Sequence, residues 1–278
     1  MNSPISRRTV TASLLASAAV LATPGAAFAA TSTSENQQAD PHQHPAKPTI
    51  VLVHGAFADA SSWSAVVERL LRRGYHVLAP ALPLRGVASD AAYIRSVLDS
   101  VQGPIVLVGH SYGGSVISQA AAGFSRVKAL VYIAAFVPDI GESALELTNK
   151  YPGSTLAQAT SSQSYPLPGG GTGEELIIKK DLFREQFAAG VPIPTARVMA
   201  AGQRPITVAA LQEKATAAAW KKIPSWYLVA TEDRNIPPAA ERWMAKRAGA
   251  RIITVRAPHA VAVSDPGPVT DLILSAAR

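Results

Sequence analysis

The chain has 278 residues, 26 Lys plus Arg against 19 Asp plus Glu, a formal net charge of +7, and 48% hydrophobic residues. It has no cysteine, which excludes disulfides, thiolate metal sites, a cysteine nucleophile and a lipoprotein anchor. The basic residues fall in small scattered groups such as Arg69-Arg72-Arg73, Lys179-Lys180 and Lys221-Lys222, so no nucleic-acid stripe is present.

Residues 1–29 hold Arg7 and Arg8, no acidic residue, an apolar run from about Val10 to Ala22, and the small-x-small ending Ala27-Phe28-Ala29. These parts read as a secretory signal peptide. The string "SRRTVT" resembles the twin-arginine export signal, which implies a secreted, extracellular protein exported already folded. The apolar run is short for a span of roughly 20 residues, so no stable membrane anchor is expected after signal removal. Residues 30–48, rich in Ser, Thr, Gln, Pro and Ala, read as a flexible leader, and His42 and His44 in "PHQHP" as part of it rather than as metal ligands.

From residue 49 the pattern alternates. "TIVLVHG" is a continuous apolar run, as expected of a strand buried on both faces. "SSWSAVVERLLRR" has helical spacing and stops at Gly74. "YHVLAPAL" follows as strand, "SDAAYIRSVLDSV" as helix, "PIVLVGH" as strand, 112–122 as helix and "KALVYIAAF" as strand. Near the end come "SWYLVAT", a helix at 238–248, "RIITVRA" and a helix at 266–277, with Asp265 as its expected cap. Such alternation predicts an α/β domain over 49–278, a mostly parallel sheet with helices on both faces. Residues at about 139–222 break the rhythm with the loop-like "YPLPGGGTG" and helical stretches at 181–189 and 207–219, and they read as a cap insertion.

The chemistry is expected at Gly109-His110-Ser111-Tyr112-Gly113, a G-x-S-x-G between a predicted strand and a predicted helix. Ser111 would sit on a tight turn, with glycines where side chains would strike backbone. Of six histidines, His42 and His44 lie in the leader, His76 opens a strand, and His54 and His110 lie within motif turns suited to local hydrogen bonds. His259, after the last predicted strand, is the expected base. Asp233, in "YLVATEDRNIPP", is the expected acid, with Asp139 as the alternative and Glu232 as its misleading neighbour. The backbone N–H groups of Ala56 and Tyr112 are the expected oxyanion donors, with Phe57 as the alternative by one register. Phe57, Phe183, Phe187, Met199 and Trp220 are candidates for an apolar pocket, although the cap residues at helical spacing fit a cap core equally well.

Taken in order, "HGAF…W", "GHSYGG", "ATEDRNIPP" and "PHAV" resemble the α/β-hydrolase superfamily, in the branch of small bacterial esterases similar to plant methyl-ester esterases and hydroxynitrile lyases. The resemblance implies the α/β-hydrolase fold, Ser111, Asp233 and His259 as a triad, Ala56 and Tyr112 as oxyanion donors, and no metal or organic cofactor. It implies a serine carboxylic-ester hydrolase acting on small to medium apolar or aromatic esters or lactones. Ser111 speaks against the epoxide hydrolases and dehalogenases of this fold, which carry aspartate there. Ala260 and Gly55 stand where hydroxynitrile lyases carry lysine and threonine. The alternatives are a cofactor-free perhydrolase of haloperoxidase type and a non-catalytic ligand-binding relative. Oligomeric state has no signal in the sequence.

Overall fold

The computed structural model describes residues 47–278. The expected signal peptide and all but the last two residues of the expected leader, with His42 and His44, lie outside the described residues.

Strand β1 (Thr49–Val53) leads through a 3-10 turn (Ala60–Trp63) into helix α1 (Ser64–Arg72), then β2 (Val77–Leu78), α2 (Val87–Ser100), β3 (Ile105–His110), α3 (Tyr112–Ala120) and β4 (Val127–Ile133). The insertion that follows carries α4 (Ala144–Asn149), α5 (Leu156–Ala159), β5 (Thr160–Pro166), β6 (Thr172–Ile178), α6 (Phe183–Phe187), α7 (Ile193–Gly202), β7 (Ile206–Thr207), α8 (Val208–Gln212) and a 3-10 turn at Ala219–Lys221. The chain closes with β8 (Ser225–Ala230), α9 (Pro238–Arg247), β9 (Arg251–Val255), α10 (Val261–Ser264) and α11 (Pro266–Ala276).

Six strands form one sheet in the order β2-β1-β3-β4-β8-β9, every pair parallel. Its apolar runs are continuous because both faces are covered. Val51, Val53, Ile105 and Leu107 face the core under α2, α3 and α9, while Ile50, Leu52, Val106 and Val108 face the core under α1 and α11. The chain leaves β1 toward β2 on one side and returns to β3 on the other. The crevice between the carboxyl ends of β1 and β3 is therefore a topological switch point, where open α/β sheets hold their sites. The register, Leu52 against Val108 and Val53 against Gly109, brings the loop after β1 beside the turn after β3.

Three expectations need correction. The insertion holds strands where only a loop and helical stretches were expected: β5, β6 and β7 form a second, antiparallel three-stranded sheet. "YPLPGGGTG" is its hairpin, with Gly169, Gly170 and Gly171 all at positive φ, and the helical stretch expected at 207–219 shortens to Val208–Gln212. The second sheet strand shrinks to Val77–Leu78, since it pairs only with β1 and runs into Pro80 and Pro83, which have no N–H to donate. Asp265 stands at the N-cap of α11, but its side chain makes no capping bond. The helix begins Pro266-Gly267-Pro268, so N1 and N3 offer no N–H.

Candidate active site

Ser111 follows the last residue of β3 and precedes the first of α3. Its backbone holds φ 53° and ψ −124°, a left-handed region that costs a non-glycine residue of order 1–3 kcal/mol. The surroundings enforce it. The Ser111 carbonyl accepts from Gly114 N–H (2.9 Å) and Phe136 N–H (3.1 Å). A Cβ on Gly109 would stand 2.7 Å from the Gly113 carbonyl, and one on Gly113 would stand 2.5 Å from the Val53 carbonyl oxygen. These glycines answer to close approach of backbone to backbone.

Gly55 has a related role that the sequence alone left as a turn. A Cβ there would lie 2.6 Å from Ser111 Cβ and 3.2 Å from Ser111 Oγ. The loop after β1 is thus pressed onto the serine itself. Ala56, the next residue, gives its N–H to no group among the described residues. Tyr112 is the first residue of α3, whose opening N–H groups have no intrahelical acceptor. Phe57, also at positive φ (60°), donates its N–H to the Arg204 carbonyl at 3.0 Å, which removes it as the alternative donor.

Asp233 and His259 are paired and buried, with Asp233 Oδ2 2.5 Å from His259 Nδ1. Asp233 Oδ1 accepts two backbone N–H groups, from Asn235 (2.6 Å) and Ile236 (3.0 Å). A carboxylate tied in this way fixes Nδ1 of His259 as the protonated nitrogen and leaves a lone pair on Nε2, which has no partner among the described residues. His110, adjacent to Ser111, donates from Nε2 to the His259 carbonyl (2.9 Å), and the two rings lie 4.7 Å apart. That contact fastens the histidine loop to the serine turn. Ser111 Oγ makes no hydrogen bond to any described residue.

The other candidate acids are engaged elsewhere. Asp139 pairs with Lys221 at 2.5 Å, which holds its carboxyl below the ordinary range. Glu232 pairs with Arg256 at 2.7 Å. His54 donates from Nδ1 to the Gly55 carbonyl (2.8 Å) and accepts the Leu82 N–H at Nε2 (2.8 Å), both as a neutral ring. Burial holds His54 below its ordinary pKa, and burial together with the neighbouring His259 holds His110 well below. Tyr112 sends its hydroxyl to Asp90 Oδ2 at 2.9 Å. Burial raises the pKa values of both, so the phenol stays protonated.

Ser111 opens into a cavity of about 310 Å³. Ala56, Phe57, Tyr112 and Phe136 form its sheet side, and Leu145, Thr148, Asn149, Leu156, Leu176 and Leu211 form its cap side, with Asn235 and Ile236 from the Asp233 loop. The lining holds no Asp, Glu, Lys, Arg or His. Of the expected pocket residues only Phe57 lines it. Phe187 turns down onto His259 and His110, with ring centroids 5.1 and 6.1 Å away, and Phe183 packs on Phe187 at 5.2 Å. Met199 lines a separate cavity of about 210 Å³ on the far side of Phe57. Trp220 gives its indole N–H to the Pro138 carbonyl at 2.8 Å beneath the cap. Residues of α4 were missed, although Leu145, Thr148 and Asn149 share a helical face that follows a Ser143–Glu146 capping box legible in "SALE".

Among the described residues no group of His, Asp or Glu is arranged to hold a metal ion, and no helix is long and apolar enough to cross a membrane.

A model of the alpha/beta hydrolase family matches residues 50–272. An α/β hydrolase of Aspergillus novofumigatus, nvfD, is 29% identical over 255 residues, 83% of this chain and 97% of the relative. Methylesterase 1 of Arabidopsis thaliana is 24% identical, over 71% of this chain and 83% of its own length. The crystal structure of polyneuridine aldehyde esterase superposes with a TM-score of 0.72 at 19% identity, covering 82% of this chain and 98% of that one, a likeness of fold. The chain belongs to the alpha/beta hydrolase family and, within it, to the esterase branch, as a hydrolase of the carboxylesterase type.

Proposed function

We propose that the chain hydrolyses small to medium, uncharged carboxylic esters or lactones through Ser111, His259 and Asp233. His259 Nε2 takes the Ser111 proton as Oγ attacks the ester carbonyl, and Asp233 stabilises the imidazolium that forms. The developing oxyanion rests on the N–H groups of Ala56 and Tyr112, each worth roughly 2.7–4 kcal/mol in comparable sites. The imidazolium returns its proton to the leaving alcohol. Water then adds to the acyl-enzyme with His259 as base and releases the acid. The observation that carries this reading is the lone pair left on buried His259 Nε2 by the Asp233 contact, fastened through His110 to a serine held at φ 53°. The cavity favours uncharged substrates because its lining offers no partner to an ionised group, whose desolvation would go uncompensated.

A screen of p-nitrophenyl and alkyl esters with varied acyl and alcohol parts tests this. Ser111→Ala is expected to lose at least about a thousandfold in kcat, the scale of triad removal. Substantial turnover in the variant would mean that the nucleophile is another residue. Export through the signal in residues 1–29 is part of the proposal, supported by Arg7-Arg8 and the apolar run. Full-length protein with Arg7→Lys and Arg8→Lys should stay in the cells while the parent appears outside them. Equal export of both would remove the twin-arginine route.

A further inference from the structure

Helix α9 buries an acid. Glu241 lies on its inner face with Ala240, Met244 and Ala245, and its relative exposure is 0%. One oxygen, Oε2, accepts the N–H of Ala230 at 3.0 Å, at the end of β8 and three residues before Asp233. The other, Oε1, is buried and meets no N–H or O–H donor among the described residues. Its carboxyl lies in hydrogen-bonding contact with that of Asp233. Two ionised carboxylates have only acceptors to offer each other, so such a contact holds together only with a proton in it.

The surroundings say which acid holds the proton. Asp233 accepts three N–H groups, from Asn235, Ile236 and His259, so both of its oxygens are committed as acceptors. Glu241 accepts one. Arg242, its chain neighbour, is exposed and turns toward the Pro238 carbonyl. Tyr227 on β8 is occupied with both backbone groups of Ala135, and Tyr132 stacks on it at 6.2 Å. On the other side of the pair, His259 meets His110, which burial keeps uncharged. Burial, followed by the charge of Asp233, raises the Glu241 pKa well above the carboxylate range.

We propose that Glu241 is a protonated positioning residue whose Oε1–H donates to the Asp233 carboxylate, extending the serine, histidine and aspartate into a four-membered chain. The inference rests on the roles assigned to Asp233 and His259 above. The donated hydrogen bond spreads the charge of Asp233 and holds its plane so that Oδ2 meets His259 Nδ1. Without that donor, the negative charge of Asp233 would bear more fully on the imidazolium that forms during the reaction.

Two readouts test it. In infrared difference spectra, wild type minus Glu241→Gln at neutral pH should show a carboxylic-acid carbonyl band. The subtraction cancels any band from buried Asp90. In pH profiles of kcat/KM, Glu241→Gln keeps a donor for Asp233 and an acceptor for Ala230, so its acidic limb should coincide with wild type. Glu241→Leu should move that limb toward alkaline pH by about 1–2 units, the size of one lost bond to a charged group. Absence of the band, or an acidic-limb shift toward lower pH in Glu241→Gln, would overturn the proposal, since both mean that Glu241 is ionised. Should Glu241→Leu fail to fold, the band and the Gln profile still decide. If no ester is turned over by wild type, the assigned reaction fails while the band still reports on Glu241.

Discussion

Gly55 shows how closely the site is built. No turn requires glycine there, because its backbone is not in the left-handed region; the requirement is space. An added Cβ would meet Ser111 Cβ at 2.6 Å and the His110 carbonyl oxygen at 2.9 Å, and neither belongs to a flexible chain end. The strain would fall on Ala56, whose N–H is assigned to the oxyanion, and on the serine. Gly55→Ala is therefore expected to lower kcat by about 10²-fold, as displacements of about 1 Å at a reacting centre do. Its thermal midpoint should fall by about 2–12 °C, in line with an overpacking cost of about 1–3 kcal/mol. Wild-type kcat in a folded variant, measured on p-nitrophenyl acetate, would refute the close approach. The same crowding explains why the Ser111 turn was readable from residues alone: glycines at 109 and 113 are demanded by contacts within the turn and with β1, which a short motif encodes. Glu241 left no such trace. A single Glu in "PAAERWMAKR" reads as solvent-facing, and only the pairing of α9 with the end of β8 buries it.

Among elements, legibility followed environment. The central strands β1, β3, β4 and β8 are buried on both faces, so their runs of Val, Ile, Leu and Ala announce them. The cap sheet is a different case. Strand β5, "TSSQSYP", is mostly exposed and carries no alternation of apolar and polar residues. It is held instead by its partner and by polar ties: Gln163 donates to Glu175 at 2.8 Å, Arg85 pairs with Glu175, and the Arg85 guanidinium lies 4.4 Å over the Tyr165 ring. Such ties join positions far apart in the chain and leave no periodic signal. The four cap residues among the pocket candidates stay out of the cavity for a related reason, while Phe57 lines it. Size and apolarity marked Phe183 and Phe187 as contacts, but α6 turns both toward the His110–His259 pair, and the Phe187 carbonyl accepts the Ala260 N–H at 2.9 Å. These rings serve as packing behind the histidine. The cavity falls to smaller side chains on α4 and α5 and to Leu176 and Leu211.

At the scale of the molecule, the switch point between β1 and β3 gathers histidines into a buried layer, and burial there sets the response to pH. His54 and His110 have exposures of 0% and 3%, and both are held neutral by burial, the largest cause of their lowered pKa values. An unfolded chain binds protons at these positions near the ordinary pKa of 6.5, whereas the folded chain does so only at lower pH. Both groups therefore contribute stability that is present above about pH 6.5 and is lost as pH falls toward their depressed folded values. Each approaches about 1.4 kcal/mol per pH unit within that window, so together they should remove about 3 kcal/mol per unit at most. The protonated Glu241 acts with the opposite sign, because its carboxyl is ionised in the unfolded chain above the ordinary 4.5. The test is therefore a difference: the thermal midpoint of His54→Gln minus that of wild type, measured between pH 8 and pH 5, should hold steady to about pH 6.5 and then rise. His54→Gln keeps an amide that can still donate to the Gly55 carbonyl and accept the Leu82 N–H, so that difference isolates one imidazole, at most about 1.4 kcal/mol per pH unit. A difference that stays flat below about pH 6.5 would mean that the folded chain protonates His54 as readily as the unfolded one.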